Sequence, residues 1–245
     1  MARTAARTLI EVDSSLARAV DRLEFAPPVT HVYNPLSYAW QPHRRYLERW
    51  GCGRKEIVFL GMNPGPWGMT QTGIPFGEVS LARDWLGVEG VVEQPTVVHA
   101  KRPIDGFDCK RSEVSGRRLW RWFRDRFGTP ERFFERCFVL NYCPLTFLEE
   151  SGRNRTPDKL PAAERAALGA LCDAALSEAV EILQPSWVIG VGHYAEKQAT
   201  RVLGDRDLKI GRVLHPSPAS PAANRGWAPQ AEQDLLALGI NDFGA

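Results

Sequence analysis

Four apolar stretches of the chain end in side chains able to do chemistry: Phe59-Leu-Gly-Met-Asn63, Phe138-Val-Leu-Asn141, Ile189-Gly-Val-Gly-His193 and Arg212-Val-Leu-His215. An amide does not titrate, so Asn63 is no ordinary general base. Its carbonyl oxygen can hold and orient a water, and its NH2 can donate. Asn141 sets a donor beside an acceptor, which matches the edge of a nucleobase or of another amide. His215 precedes the rigid Pro216-Ser217-Pro218. It can donate to an oxygen that turns negative as a bond breaks, or stabilise that charge when protonated. Phe76, held between Pro75 and Gly77, can offer a flat face to an aromatic ligand. No Ser-His-Asp or Cys-His set stands out, and no pair of carboxylates sits at these ends. Such a set suits a reaction whose leaving group departs largely unaided, while the protein steadies an anion and places a water. His193 reads better as the start of a helix.

The elements that must position these groups follow from periodicity. Short apolar runs at 56–62, 137–141, 187–191 and 209–215 read as buried strands. Helical spacing fills 79–86, 113–127, 162–183, 194–203 and 230–238, after earlier helices near 14–23 and 43–50. This alternation predicts an α/β fold, a three-layer α/β/α sandwich with a central, mainly parallel four-stranded sheet. We expect one domain over residues 1–245, with 1–30 as an N-terminal helical extension. In such folds ligands bind outside the carboxyl ends of the strands, where the four polar residues fall. The first strand runs into GMNPGPWGMTQTGIPFG, seventeen residues with five glycines and three prolines. That loop can be neither helix nor central strand.

Composition bounds the class. Over 245 residues, 44% hydrophobic and 24% charged content describes an ordinary soluble protein. There is no apolar run of bilayer length, and the basic start Met1-Ala-Arg-Thr-Ala-Ala-Arg7 leads into no signal-peptide core. Five scattered cysteines without a C-x-x-C pair fit reduced thiols, and argue against a disulfide framework, zinc site or iron–sulfur cluster. No metal and no cofactor is expected. A cytoplasmic location follows, with the nucleoid or nucleus as the place of action. The net charge is only +2, yet residues 101–136 hold eleven Lys and Arg against six Asp and Glu. That is either a solvated helix face or a contact for a polyanion. Gly190-Val-Gly-His-Tyr-Ala195 matches a dinucleotide-binding fingerprint, but the next strand ends in His215 instead of an acidic residue.

With Asn63, Phe76, Asn141 and His215 in view, the chain resembles the uracil-DNA glycosylase superfamily, and within it the single-strand-selective monofunctional uracil-DNA glycosylases. The segments that carry the resemblance are VYNPLSYAW at 32–40, GMNPGPWGM at 61–69, QTGIPFGEV at 71–79, SEVSG at 112–116, NYCPL at 141–145, SGRN at 151–154, HPSP at 215–218 and NRGW at 224–227. The resemblance implies that Asn63 positions the hydrolytic water and His215 bonds the O2 of the base. It further implies that Asn141 reads the Watson–Crick edge, Phe76 stacks on the ring, and the main chain at Met62 and Phe76 adds polar contacts. Gly65 and Met69 would shape the wall near ring position 5. The segment from Pro216 to Trp227, including Ser217, Pro218, Ala219, Ser220, Asn224 and Arg225, would enter DNA as a wedge while the nucleotide is flipped out.

The implied activity is hydrolysis of the N-glycosidic bond of uracil and related damaged bases such as 5-hydroxymethyluracil, with deaminated purines an open question. The implied partner is single- or double-stranded DNA, met by a monomer away from membranes. Trp67 stands where the family commonly has phenylalanine, and Ala219-Ser220 where some relatives have Arg-Asn. A related branch has Asp in place of Asn63, so Asn63 argues for the slower, water-positioning chemistry. No lysine matches a catalytic position, so no strand cleavage is expected. A second reading is a non-catalytic reader of damaged or single-stranded DNA.

Overall fold

In the computed structural model, which describes residues 2–244, the chain begins with α1 (Ala2–Val20), β1 (Val29–Tyr33), α2 (Pro35–Tyr38) and α3 (Trp40–Trp50). Then come β2 (Ile57–Gly61), α4 (Met69–Thr72), α5 (Val79–Asp84), α6 (Val114–Phe127), α7 (Pro130–Arg136) and β3 (Cys137–Asn141). The remainder is β4 (Thr146–Glu149), β5 (Asn154–Arg155), α8 (Ala162–Leu183), β6 (Trp187–Val191), α9 (His193–Leu203), β7 (Lys209–Val213), α10 (Pro221–Asn224) and α11 (Trp227–Ala237).

Four strands form a wholly parallel sheet in the order β3-β2-β6-β7. β2 is buried along its whole length because helices cover both its faces. Successive side chains of a strand point to opposite faces. Phe59 meets Trp122 and Phe123 of α6, ring centroids 6.2 and 4.9 Å away, and Trp122 meets Trp227 of α11 at 5.2 Å. The next residue, Leu60, is in register with Gly190. A Cβ on Gly190 would lie 2.3 Å from the Glu196 nitrogen of α9, so α9 packs on the other face. The sandwich therefore has α6 and α11 on one side and α9 on the other.

Three features differ from the sequence expectation. The helix expected near 14–23 begins at Ala2, because a buried stripe of Ala6, Leu9, Val12, Leu16 and Val20 continues the helical spacing backwards. That stripe packs α1 against α3 and α8. α11 starts at Trp227, before Pro229, since proline is tolerated in a first helical turn. A second, antiparallel sheet of order β1-β4-β5 was not expected at all. Its strands are two to five residues long, too short for their alternation to stand out.

β2 and β7 also end earlier than read, at Gly61 and Val213. Asn63 and His215 thus sit on the loops just beyond their strands.

Candidate active site

Register brings the site together. Gly61 of β2 pairs with Asn141 of β3, and Val191 of β6 with Val213 of β7. The chain visits β3 on one side of β2 and then crosses to β6 on the other. The crevice at such a switch point is where an open α/β sheet binds ligands. Here it opens into a cavity of about 660 Å³ that Met62, Asn63, Gly65, Phe76, Asn141 and His215 all line.

Phe76 adopts φ 53°, in the left-handed region, with its ring centroid 6.4 Å from that of His215. Such a backbone in a non-glycine residue is uncommon and has to be held by its surroundings. Glu78 N–H donates to the Phe76 carbonyl at 2.7 Å, and the Trp120 indole N–H donates to the Pro75 carbonyl at 3.2 Å. Gly61 leaves the slot open: a Cβ there would lie 2.1 Å from Asn141 Oδ1 and 2.6 Å from the Phe76 ring.

Asn63 donates its NH2 to the carbonyl of Leu145 at 3.1 Å. Its Oδ1 has no protein partner among the described residues. The amide is therefore held from behind with an acceptor free to receive a hydrogen bond from water. Asn141 donates to the sulfur of Met69 at 3.2 Å, and its Oδ1 is buried without a partner. Met69 touches the site through this sulfur; it stands behind Asn141 and does not line the cavity.

His215 is set by Leu214, whose N–H donates to Asp234 Oδ2 at 2.8 Å and whose carbonyl accepts from the Trp227 indole at 2.6 Å. Burial pushes its imidazole down to about 4. At neutral pH the ring is uncharged and carries one N–H to donate. His193 is the first residue of α9, exposed, and pairs with Glu196 at 3.2 Å, away from the cavity.

The expected wedge divides. Ser217, Pro218, Ala219 and Ser220 line the mouth of the cavity, whereas Pro216, Asn224 and Arg225 do not. Asn224 is exposed and spends its amide locally, donating to the Pro218 carbonyl at 2.9 Å and accepting from Arg118 at 2.8 Å. Arg118 also donates to the carbonyls of Pro216 at 3.0 Å and Ser217 at 3.3 Å. This arginine from the basic stretch braces the segment. Pro216 is buried and Asn224 and Arg225 are both exposed, with Asn224 and the Pro216 carbonyl tied to Arg118.

Two further residues bring buried, unpartnered oxygens to the cavity. Glu113, just before α6, lines the cavity with Oε2 buried and unpartnered. Its carboxyl fills the space where Gly65 and Gly68 would carry side chains, 2.0 and 1.5 Å from those Cβ positions. Burial, reinforced by the nearby charge of Glu78, pushes it up to about 7. Asn154 of β5 also lines the cavity, with a buried, unpartnered Oδ1. Both lie in the quoted SEVSG and SGRN segments, but neither had an apolar strand before it to mark it. Among the described residues, no cluster of His, Cys, Asp or Glu could hold a metal ion.

Five buried side-chain polar atoms lack partners in the described structure, and three of them, on Glu113, Asn141 and Asn154, converge on this one cavity. Buried polar groups are paired almost everywhere else in proteins. No lysine lines the cavity. The buried Lys55 precedes the other end of β2 and donates to the carbonyl of Phe134.

A sequence profile of the uracil DNA glycosylase superfamily matches residues 49–236. The single-strand selective monofunctional uracil-DNA glycosylase of Rattus norvegicus is 49% identical over 241 residues, covering 98% of this chain and 87% of the rat protein. The Bos taurus protein of the same description is 49% identical over 240 residues, covering 97% of this chain and 88% of its own. The crystal structure of wild-type Pedobacter heparinus SMUG2 superposes with a TM-score of 0.67 over 94% of this chain and 98% of that one. At 16% identity it speaks for the fold alone.

Proposed function

The chain belongs to the uracil DNA glycosylase superfamily, and from that premise we infer that its cavity takes one uracil flipped out of DNA and cuts it from the sugar. The enzyme is a monofunctional hydrolase of N-glycosyl bonds acting in base excision repair. The convergence of unpaired buried polar atoms on the cavity is the observation that carries the assignment of residues.

A base inside the stack is out of reach, so the nucleotide must rotate outward. Ser217–Ser220 fill the place it leaves. Phe76 stacks on the ring. Asn141 Oδ1 accepts the N3–H of uracil, and the amide hydrogen not given to Met69 is available to O4. As the glycosidic bond lengthens, negative charge builds on the base, and the neutral His215 donates its N–H to O2. Asn63 Oδ1 accepts from a water and aims it at the anomeric carbon. Gly65, with Met69 behind Asn141, borders ring position 5 and admits uracil and 5-hydroxymethyluracil. The enzyme works as a monomer wherever the cell keeps its DNA; no helix among the described residues is long and apolar enough to cross a membrane.

The test is base release from single-stranded oligonucleotides carrying uracil or 5-hydroxymethyluracil, followed by alkaline cleavage of abasic sites. Free base and a cut strand are expected. Asn63→Ala should slow single-turnover release by on the order of 10²-fold. Salt-dependent binding with an intact strand would mark a non-catalytic reader instead.

A further inference from the structure

Beside the base cavity lies a second hollow of about 750 Å³, and Trp67 lines both. Its other walls include Lys101, Arg102, Lys110 and Arg111 against two carboxylates, Asp105 and Asp108. None of these four cations makes an ion pair within the described structure, and the Nε of Arg102 is buried without any partner. Several other arginines are matched to acids, among them Arg136 to Glu56 at 2.8 Å, Arg155 to Glu149 at 2.8 Å and Arg201 to Asp173 at 2.6 Å. Unmatched charge held this close together is costly unless an anion comes to it.

The hollow is built, and it is tied to the base cavity. The guanidinium carbons of Arg111 and Arg102 stand 4.5 and 5.2 Å from the centre of the Trp67 ring, a cation–π arrangement that fixes their direction. The buried amide of Gln71 joins the two sites. Its Nε2 donates to the carbonyls of Pro66, in the catalytic loop, and Pro103, in the hollow, at 3.2 and 3.0 Å. Its Oε1 accepts from the N–H groups of Asp105 and Gly106 at 2.8 and 3.1 Å. Tyr33 donates its hydroxyl to the Arg102 carbonyl at 2.9 Å, anchoring the same segment to the antiparallel sheet.

We propose that this ledge of Lys101, Arg102, Lys110 and Arg111 around Trp67 binds the phosphodiesters that flank the flipped nucleotide on its own strand. Guanidinium groups suit phosphate because their forked N–H donors match its oxygens. The ledge rests on the assignment of the neighbouring cavity to a flipped uracil, and it tells how the strand is gripped where Ala219 and Ser220 offer the wedge no charge. A strand held by its backbone alone needs no complementary strand, which agrees with a preference for single-stranded DNA.

The measurement is fluorescence anisotropy of a labelled single strand carrying one 2′-fluorodeoxyuridine, which resists hydrolysis, titrated with the full-length protein over a range of salt. Combined Lys101→Ala, Lys110→Ala and Arg111→Ala substitutions remove three exposed cations. They should weaken binding at least about 10-fold and lower the slope of log affinity against log salt by about 2, at roughly 0.7 per lost phosphate contact. The exposed pair Lys101→Glu and Lys110→Glu, which disturbs no packing, should weaken binding further. Affinity and slope equal to those of the native protein in both variants would overturn the ledge. Uracil release by the native protein separates the two ideas. Release together with unchanged variant binding sinks the ledge alone, and no release sinks the glycosylase reading beneath it.

Discussion

The carboxamide of Asn141 gives one hydrogen to the sulfur of Met69 at 3.2 Å and keeps its oxygen buried and unpaired. Thioether sulfur only accepts, so this contact fixes which end of the amide faces the cavity. A base bearing N3–H satisfies the orphan oxygen, as uracil does. Cytosine would set an acceptor nitrogen against it. An unpaired buried group costs about 1–3 kcal/mol. Asn141→Leu should therefore raise the melting temperature while lowering uracil release by on the order of 10²-fold. Thermal melts and single-turnover rates check both halves; a variant that is active, or less stable than the parent, contradicts this role.

Gly61→Ala tests how tightly the slot is drawn. The added Cβ would meet Asn141 Oδ1 at 2.1 Å and the Phe76 ring at 2.6 Å. Both groups must shift, and displacement by about 1 Å costs on the order of 10² in rate. We expect release to fall by that amount while far-ultraviolet circular dichroism stays unchanged.

Glu113 gives stability a dependence on pH. Burial raises its carboxyl from 4.5 to about 7, so between those values the folded protein holds a proton that the unfolded chain has released. This contribution to stability is fully present below pH 4.5 and is lost as pH rises through 7. Glu113→Gln cannot lose the proton. Its stability relative to the parent should grow from pH 4.5 to pH 7 and level off above, as denaturant midpoints will read. A constant difference would show that the carboxyl titrates normally.

For His215 the sign is opposite. Its imidazole falls from 6.5 to about 4 on folding, so the folded protein binds fewer protons than the unfolded chain between those values. The stability involved is complete above pH 6.5 and disappears as pH falls to 4. Ring carbon-bound proton signals in a nuclear magnetic resonance titration should place the midpoint near 4. The single-turnover rate should gain nothing from pH 8 to pH 6, because the donor is the neutral ring. A rate that rises over that span in Glu113→Gln, which removes the cavity carboxyl pushed up to about 7, would assign the work to imidazolium.

The parallel sheet was legible because β2, β3 and β6 are mainly apolar runs, and β3 and β6 end where the pattern does; β7, at the sheet edge, interrupts its apolar residues with the exposed Lys209 and Arg212. The strand-end rule grouped Asn63, Asn141, His193 and His215 without any knowledge of contacts; three of them line one cavity, and His193 is exposed away from it. It failed where position depends on tertiary packing. Glu113 reaches the cavity only because two glycines of a distant loop leave room for its carboxyl. Asn154 arrives on a strand two residues long. Asn224 is polar and close to His215 in sequence, yet its amide is taken up by Arg118 and the Pro218 carbonyl and does not line the cavity. Side-chain direction of that kind is set by partners a sequence pattern does not reveal.

In the proposed mechanism one slot, bounded by Phe76, Asn141, His215 and Asn63, receives the base. A crystal structure with a single strand carrying one 2′-fluorodeoxyuridine tests it most directly. The uracil ring is expected against Phe76, its N3–H on Asn141 Oδ1, its O2 within reach of the His215 N–H, and a water on Asn63. A base bound elsewhere, or a slot closed by the protein's own side chains while the strand is bound, would contradict it.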